Sequence, residues 1–469
     1  MTVPPAPELA AALAALVLLA LAARLALREP VPFWWLTVFL APLAVGWRSR
    51  FGVEVTVPFE PMLVLSGLSL LRARIRPEGG WGPLLRHPVL LAVAASVGWM
   101  AASSAMAPDP VAGVKATFIR ALYAAVLFGG GVVLLRTEGA VRRLAVVVSV
   151  SLLPVGLFAL GAHAAVRFEK SAAYEIAHPF YSNRLDLVAV LTVWGVVGAL
   201  LLRSRGNGGL SRNEAVAVKC FLALTLVLFV TLFARSALVG AGAALAALPL
   251  LGGRTPPARA VARLAAGLAV AALAAAIFVS ARSASSVPEP ATGFGSPVVD
   301  ALLALPPLRD PSVLERANRW SAAARMTADR PLAGFGPNGF EGAYGPWQRV
   351  GETTADSSFT GGRGDAHSEF VTALVEQGVV GLALLLALLG TLVASGVRAA
   401  RGAPSPEGRS AAGAFTAGLV AFGAMNLFNS FLDLDKTAPA FWLVAAGIVA
   451  SDRARLSAGP AASTTPEGC

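Results

Sequence analysis

Apolar runs long enough to cross a bilayer recur along the whole chain, separated by short segments rich in arginine, glycine and proline. A membrane-spanning helix needs ~20 mostly apolar residues for a ~30 Å hydrocarbon core. On that measure spans are predicted near 8–27, 31–47, 57–71, 88–105, 114–135, 142–162, 184–202, 215–233, 236–252, 259–281, 370–397, 411–430 and 437–451. One of the first three is discounted, because 31–47 is short and 57–71 opens with Val57-Pro58 and carries Glu60-Pro61. The fold class expected is therefore all-α, a polytopic membrane helix bundle of about 12 transmembrane helices. The first run has two prolines before it and no basic segment, so it reads as a retained helix rather than a cleavable signal peptide.

One interval breaks the rhythm. The 85 residues of 282–366 contain no apolar run of spanning length and form the one segment large enough for an extramembrane subdomain. Connectors between helices are usually much shorter, so a mere connector is the weaker reading. The segment opens with a Ser/Pro/Gly-rich linker from Ser283 to Pro297. A helix is predicted from Pro311 to Asp329, with Val313, Ala317, Trp320 and Ala324 on one face and Glu315, Arg316, Asn318 and Arg319 around the other. Pro331 stops it. A glycine-rich run, Gly334-Phe335-Gly336-Pro337-Asn338-Gly339, follows, and Thr360–Gly364 precedes the next apolar run. The chain thus divides into N-terminal membrane helices (1–281), a large loop (282–366), C-terminal membrane helices (367–451) and a tail (452–469).

Composition sharpens this picture. Hydrophobic residues make up 56% of the chain and charged residues 14%. Soluble domains are about a quarter charged, which argues against a cytosolic enzyme or a disordered chain. The net charge of +11 would fit a nucleic-acid partner, but the basic residues fall in short clusters between apolar runs, the pattern of cytoplasmic membrane loops. Arg72/Arg74/Arg76/Arg86, Arg136/Arg142/Arg143, Arg203/Arg205/Arg212/Lys219, Arg254/Arg259/Arg263 and Arg398/Arg401/Arg409 are each two apolar runs apart, so all five share one side. The near-neutral loop 282–366, the loop 163–183, the turn at Ala234-Arg235 and the turn 431–436 then share the other, with an N-terminus outside. Arg24/Arg28 and Arg48/Arg50 fit no single side if 31–47 crosses once. Cys220 and Cys469 offer neither a disulfide framework nor metal-site spacing.

Candidate chemistry gathers on the outer side. Of four histidines, His87 reads as a solvated loop residue, and His163 and His178 flank a small loop. His367 joins the large loop to a long apolar helix, beside Asp365, Ser368 and Glu369. Asp365 or Ser368 could cap that helix. A histidine in the first helical turn is kept neutral by the dipole and can accept a proton, and the same N–H groups favour an anion such as phosphate. The competing reading is an interfacial histidine that only bonds its neighbours. Arg184 and Arg235 sit at membrane depth, where charge is rare and tends to face a polar cavity. Two such arginines could hold a pyrophosphate, or each could simply snorkel to the interface. Asp186 could pair with Arg184. Glu376 should face the bundle interior. Asp433-Leu434-Asp435 is formally a cation-binding pattern, better read as a solvated turn countered by Lys436. No metal site is indicated. Gly378 and Gly381 read best as helix-packing positions.

His367-Ser368, nine residues, then Gly378-Val379-Val380-Gly381 resembles the pattern of bacterial O-antigen ligases and related polymerases. Glu315-Arg316, Trp320, Asp329-Arg330-Pro331-Leu332, Gly334, Gly336, Phe340 and Tyr344 resemble that family's large periplasmic loop. Arg235-Ser236-Ala237 after Thr231 resembles its Ser-Arg-Gly segment, and Asn183-Arg184-Leu185 the opening of an earlier helix. The resemblance implies an inner-membrane glycosyltransferase. It would move a glycan from a polyprenyl (undecaprenyl) diphosphate carrier to an acceptor hydroxyl on the periplasmic face, without metal or other cofactor. It further implies His367 as general base or acceptor-orienting residue and Arg184 and Arg235 as the diphosphate grip, with Ser368, Asn183 and Arg316 in support. Ligases use lipid A–core as acceptor, and polymerases of O-antigen or exopolysaccharide use another carrier-linked glycan. A lipid-linked oligosaccharide transporter is a rival of another class, but transporters tend to show internal repeats, and none is evident here. Transfer of the glycan to a protein is a weaker rival.

Overall fold

A computed structural model of the chain describes residues 6–48, 54–77, 80–170, 172–204, 209–232, 235–252, 311–349 and 364–457. The predicted span 259–281, the basic cluster Arg254/Arg259/Arg263, the linker 283–297 and the tail beyond 457 lie outside the described residues.

The helices are α1 (Ala6–Arg28), α2 (Pro30–Leu40), α3 (Phe59–Arg72), α4 (Trp81–Leu85), α5 (Pro88–Ser103), α6 (Pro110–Tyr123), α7 (Gly130–Leu134), α8 (Glu138–Ala165), α9 (Arg184–Arg203), α10 (Arg212–Thr231) and α11 (Arg235–Leu251). Within the large loop lie α12 (Pro311–Asp329) and α13 (Gly339–Ala343), and after it come α14 (Glu369–Gly402), α15 (Pro406–Met425) and α16 (Ala438–Ser457). Among the described residues a single antiparallel hairpin, β1 (Val45–Arg48) and β2 (Glu54–Val57), pairs Arg48 with Glu54. Among the described residues six helical stretches are long and apolar enough to cross a membrane: Pro88–Met106, Pro110–Leu134, Glu138–Ala165, Arg184–Arg203, Arg212–Thr231 and Glu369–Gly402. The chain is an all-α membrane protein.

The first 72 residues depart from expectation. The apolar run 31–47 is not one crossing. Its helix, α2, has 11 residues and spans only ~16 Å at 1.5 Å per residue. The chain then turns through the hairpin into α3, of 14 residues. Lys436 Nζ donates to the Ala44 carbonyl at 2.5 Å, and Thr56 bonds Asp435, so the hairpin lies at the same end as the 431–436 turn. Arg48 therefore sits at that end, apart from Arg72.

The core is built around α9, α15 and α16. Gly418 of α15 lets Val197 of α9 approach to where a Cβ would lie 2.8 Å from it, and Gly447 of α16 does the same for the Phe415 ring at 2.4 Å. Small residues at such crossings allow helices to pack closely where lipid supplies no hydrophobic drive. Between α6 and α7 a π-helical stretch, Ala124–Gly129, interrupts the regular ladder. The Val126 carbonyl there accepts the Trp34 indole N–H at 2.9 Å.

Basic residues converge at one end. Asp452, 1% exposed, takes Arg398 Nη2 and Arg455 Nε at 3.0 Å, with His87 Nε2 at 3.5 Å. Arg136 donates to the Arg76 carbonyl, and Arg401 to that of Leu250. His87 is thus no solvated loop residue. It is buried and caps α5 by accepting the Val89 N–H. His163 is likewise buried, bonded to the Glu169 carbonyl at 3.1 Å.

Candidate active site

The opposite end carries the described part of the large loop. α12 has the predicted boundaries, but its buried face is not the predicted one. Glu315, Asn318, Arg319, Ala322, Ala323 and Met326 are buried, and Ala324 is exposed. The polar residues point inward because the segment 364–367 needs them. Arg319 is held by Glu315 through Nε at 2.5 Å, donates from Nη1 to the Asp365 carbonyl at 2.6 Å and lies over the Tyr344 ring at 5.4 Å. The Trp320 indole N–H donates to the Ala366 carbonyl at 2.9 Å. Arg316 Nε donates to the Phe428 carbonyl at 3.1 Å and ties the helix to the turn after α15.

These contacts fix His367. It precedes α14 rather than occupying its first turn, and it adopts a left-handed backbone with φ of 51°. Ser368 holds the N-cap position, yet its side chain makes no capping bond. The Glu369 N–H is met instead by the Asn426 and Asn429 carbonyls, both at 3.0 Å. A dipole argument for His367 therefore gives way to a direct one. Its ring Nδ1 lies 3.0 Å from Asp365 Oδ1, which also accepts the His367 backbone N–H at 3.1 Å. Burial works to raise the Asp365 carboxyl, but the bonds from His367 and the Ser430 hydroxyl hold it below its ordinary value.

Arg184 opens α9, capped by Asn183, whose Oδ1 accepts the Leu185 and Asp186 N–H groups at 2.8 and 3.1 Å. Asn183 is a cap, and Asp186 pairs with its amide at 3.0 Å rather than with Arg184. Arg184 is half-buried, and its Nε has no hydrogen-bond partner. It stands within electrostatic range of Arg235, the first residue of α11, and of Tyr174. Asp186 is in the field of Asp365 and Asp435. The two arginines, Asp186, Asp365 and His367 thus share one end of the bundle. Two like charges that feel each other, with a buried unbonded N–H on one of them, form a natural place for an anion.

One residue here escaped the sequence reading. Arg120, on α6, bonds Asp433 and lies 3.7 Å from Glu369 Oε1. Glu369 Oε2 accepts the Leu432 N–H at 3.1 Å. Asp433, still exposed, and Asp435 are thus partnered by Arg120 and Thr56, with Lys436 in the field of Asp435 as the expected counter-charge. Burial lowers the Lys436 ammonium to about 8, against the opposing pull of Asp435 and Glu60. No group of three or more metal-ligating side chains occurs among the described residues.

Eleven residues beyond His367, α14 breaks at Gly378, with φ of 68° and ψ of −170°. The loop fills the break. Phe335 N–H donates to the Val375 carbonyl at 2.9 Å, Gly336 N–H to that of Glu376 at 2.7 Å, and Val379 N–H to that of Pro331 at 2.8 Å. Trp99 Nε1 donates to the Gln377 carbonyl at 2.8 Å. The buried Glu376 carboxylate accepts the Asn338 and Phe340 N–H groups at 3.0 and 3.1 Å. A broken helix at membrane depth is tolerated only when its freed groups are met in this way. Gly378 is thus a docking point for the loop, not merely a packing position.

Residues 220–386 match the sequence model of a family described as O-antigen ligase. The match takes in Arg235, the described part of the large loop, His367 and the Gly378–Gly381 break, and leaves Asn183 and Arg184 outside it. No curated protein matches the chain.

Proposed function

We propose, for a chain that belongs to the O-antigen ligase and polymerase superfamily, that it transfers a glycan from a polyprenyl diphosphate carrier to a hydroxyl of lipid A–core at the periplasmic face of the inner membrane. The basic end around Asp452 would face the cytoplasm, following the arginine bias. The His367 end would meet the carrier's head group while its tail stays in the bilayer.

The observations that support this reading are the imidazole of His367 held against Asp365 and the electrostatic interaction of Arg184 with Arg235. The sugar–diphosphate bond is already activated, so the protein has three tasks. Arg184 and Arg235 neutralise the diphosphate as charge grows on it in the transition state. His367 receives the acceptor proton, an effect of roughly 10²–10⁴ in rate. The docked loop, fixed by Arg316 and Arg319, holds two large substrates in register. Ser368 lies next to the base, and Asn183 fixes the first turn from which Arg184 projects.

The test is a reconstituted reaction with a defined undecaprenyl diphosphate-linked glycan, offered lipid A–core or a second carrier-linked glycan in separate assays. Product on lipid A–core alone is expected. Elongated carrier-linked glycan alone would make the chain a polymerase, and product with neither would overturn the reading.

A further inference from the structure

Asp365 has no part in that scheme so far, yet it is the group in closest contact with the base. We infer that Asp365 is the positioning residue of the site: its carboxylate sets the ring orientation and tautomer of His367 and stabilises the imidazolium formed during transfer. The inference rests on the proposed role of His367.

The geometry is that of a carboxylate–imidazole pair. One oxygen, Oδ1, receives both the ring Nδ1 at 3.0 Å and the backbone N–H of the same histidine at 3.1 Å. The ring and its own backbone are therefore tied to a single atom. With Nδ1–H committed to a carboxylate, the lone pair resides on Nε2, the nitrogen turned away from Asp365. The backbone also carries strain, since a left-handed non-glycine residue persists only where its surroundings over-determine it. Those surroundings are present. Arg319 grips the Asp365 carbonyl at 2.6 Å, Trp320 the Ala366 carbonyl at 2.9 Å, and the Ser430 hydroxyl bonds the carboxylate. A loop residue that merely needed a hydrogen-bond acceptor would not require three side chains from α12 and the 426–430 turn to aim it.

During transfer the acceptor oxygen forms a bond to the anomeric carbon while the bond from that carbon to the diphosphate oxygen breaks. The electron pair leaves with the carrier diphosphate. The hydroxyl proton passes to Nε2, and the positive charge spreads to Nδ1–H, 3.0 Å from the Asp365 carboxylate. The proton later leaves to solvent, restoring the neutral ring.

The experiment compares wild type with Asp365→Asn, Asp365→Glu and His367→Ala in the reconstituted assay, reading kcat separately from KM for donor and acceptor. Asparagine keeps an acceptor for the backbone N–H but removes the charge and can present an N–H to the ring. Asp365→Asn is expected to lose roughly 10²–10⁴ in kcat, with each KM within about threefold of wild type. Asp365→Glu is expected to recover at least about tenfold over the asparagine variant, because the charge returns. A kcat within about threefold of wild type for Asp365→Asn, or a loss residing wholly in KM, overturns the assignment. If the asparagine variant does not accumulate in membranes, Asp365→Ala assayed with and without formate carries the test. Recovery of kcat by the small carboxylate supports a positioning charge, and no recovery overturns it. His367→Ala separates the two levels of inference. Full activity there removes the base itself, whereas an inactive His367→Ala beside an active Asp365→Asn removes only the role of Asp365.

Discussion

Replacing Gly378 by alanine tests how the loop is held over the site. The residue sits in a backbone region open essentially to glycine alone, at φ 68° and ψ −170°, which costs a side-chain-bearing residue about 1–3 kcal/mol. Its added Cβ would lie 2.1 Å from the Leu332 carbonyl oxygen, so the backbone of one segment must move. Movement of the loop forfeits the bonds of Phe335, Gly336 and Val379 across the break, each contributing about 1 kcal/mol. The loss is then about 4–6 kcal/mol, concentrated on 331–340 rather than on the bundle. Hydrogen exchange on detergent-solubilised protein reads this directly. The amides of Phe335 and Gly336 should exchange at least about 100-fold faster in Gly378→Ala, while amides of α9 and α15 keep wild-type protection. Gly390→Ala, where a Cβ would meet nothing within 4 Å, should leave both unchanged. Wild-type protection of 335–336 in Gly378→Ala would refute the docking argument.

Other consequences can be checked alongside. Arg319→Ala removes the clasp on Asp365 and should lower transfer at least about tenfold without reducing membrane insertion, measured by activity per inserted protein. Asp452→Asn strips the charge that Arg398, Arg455 and His87 share, and should destabilise the bundle by about 2–3 kcal/mol in a denaturation assay while leaving KM unchanged. Lys436 is depressed to about 8 by burial, so the fold binds fewer protons there than the unfolded chain between pH 8 and 10.5. Stability should therefore rise with pH across that window in wild type relative to Lys436→Met, and an unchanged difference in Tm would contradict it. Turnover is expected to persist in chelator, read as product formed with and without EDTA.

Much of the frame could be read from the chain because hydropathy acts locally. The runs 142–162 and 184–202 became α8 and α9, and Pro311 and Pro331 bracketed α12 as proline chemistry requires. What the sequence did not disclose depends on distant partners. Arg319 faces inward because the carbonyl of Asp365 waits for it 46 residues away. His87 is buried because Asp452 is beneath it. The hairpin over 45–57 cuts through a run whose apolarity suggested a crossing, since Pro42 and Gly46 shorten the helix and Asp435 and Lys436 anchor the turn. The Gly378 break follows the same logic, since apolar periodicity continues across it and only the loop's N–H groups make it affordable. The candidate site was legible as His367, Arg184 and Arg235, three polar residues in costly places. Of their supports, Asp365 read as a possible helix cap, while Arg319 and Arg120 resemble ordinary surface charge until the fold assembles them.

The most direct test is donor-dependent glycan transfer in proteoliposomes carrying wild type, His367→Ala, Arg184→Ala or Arg235→Ala at matched insertion. Transfer to lipid A–core by wild type alone, with donor retention weakened in both arginine variants, is the predicted result. Wild-type rates in any two of the three variants would contradict the account.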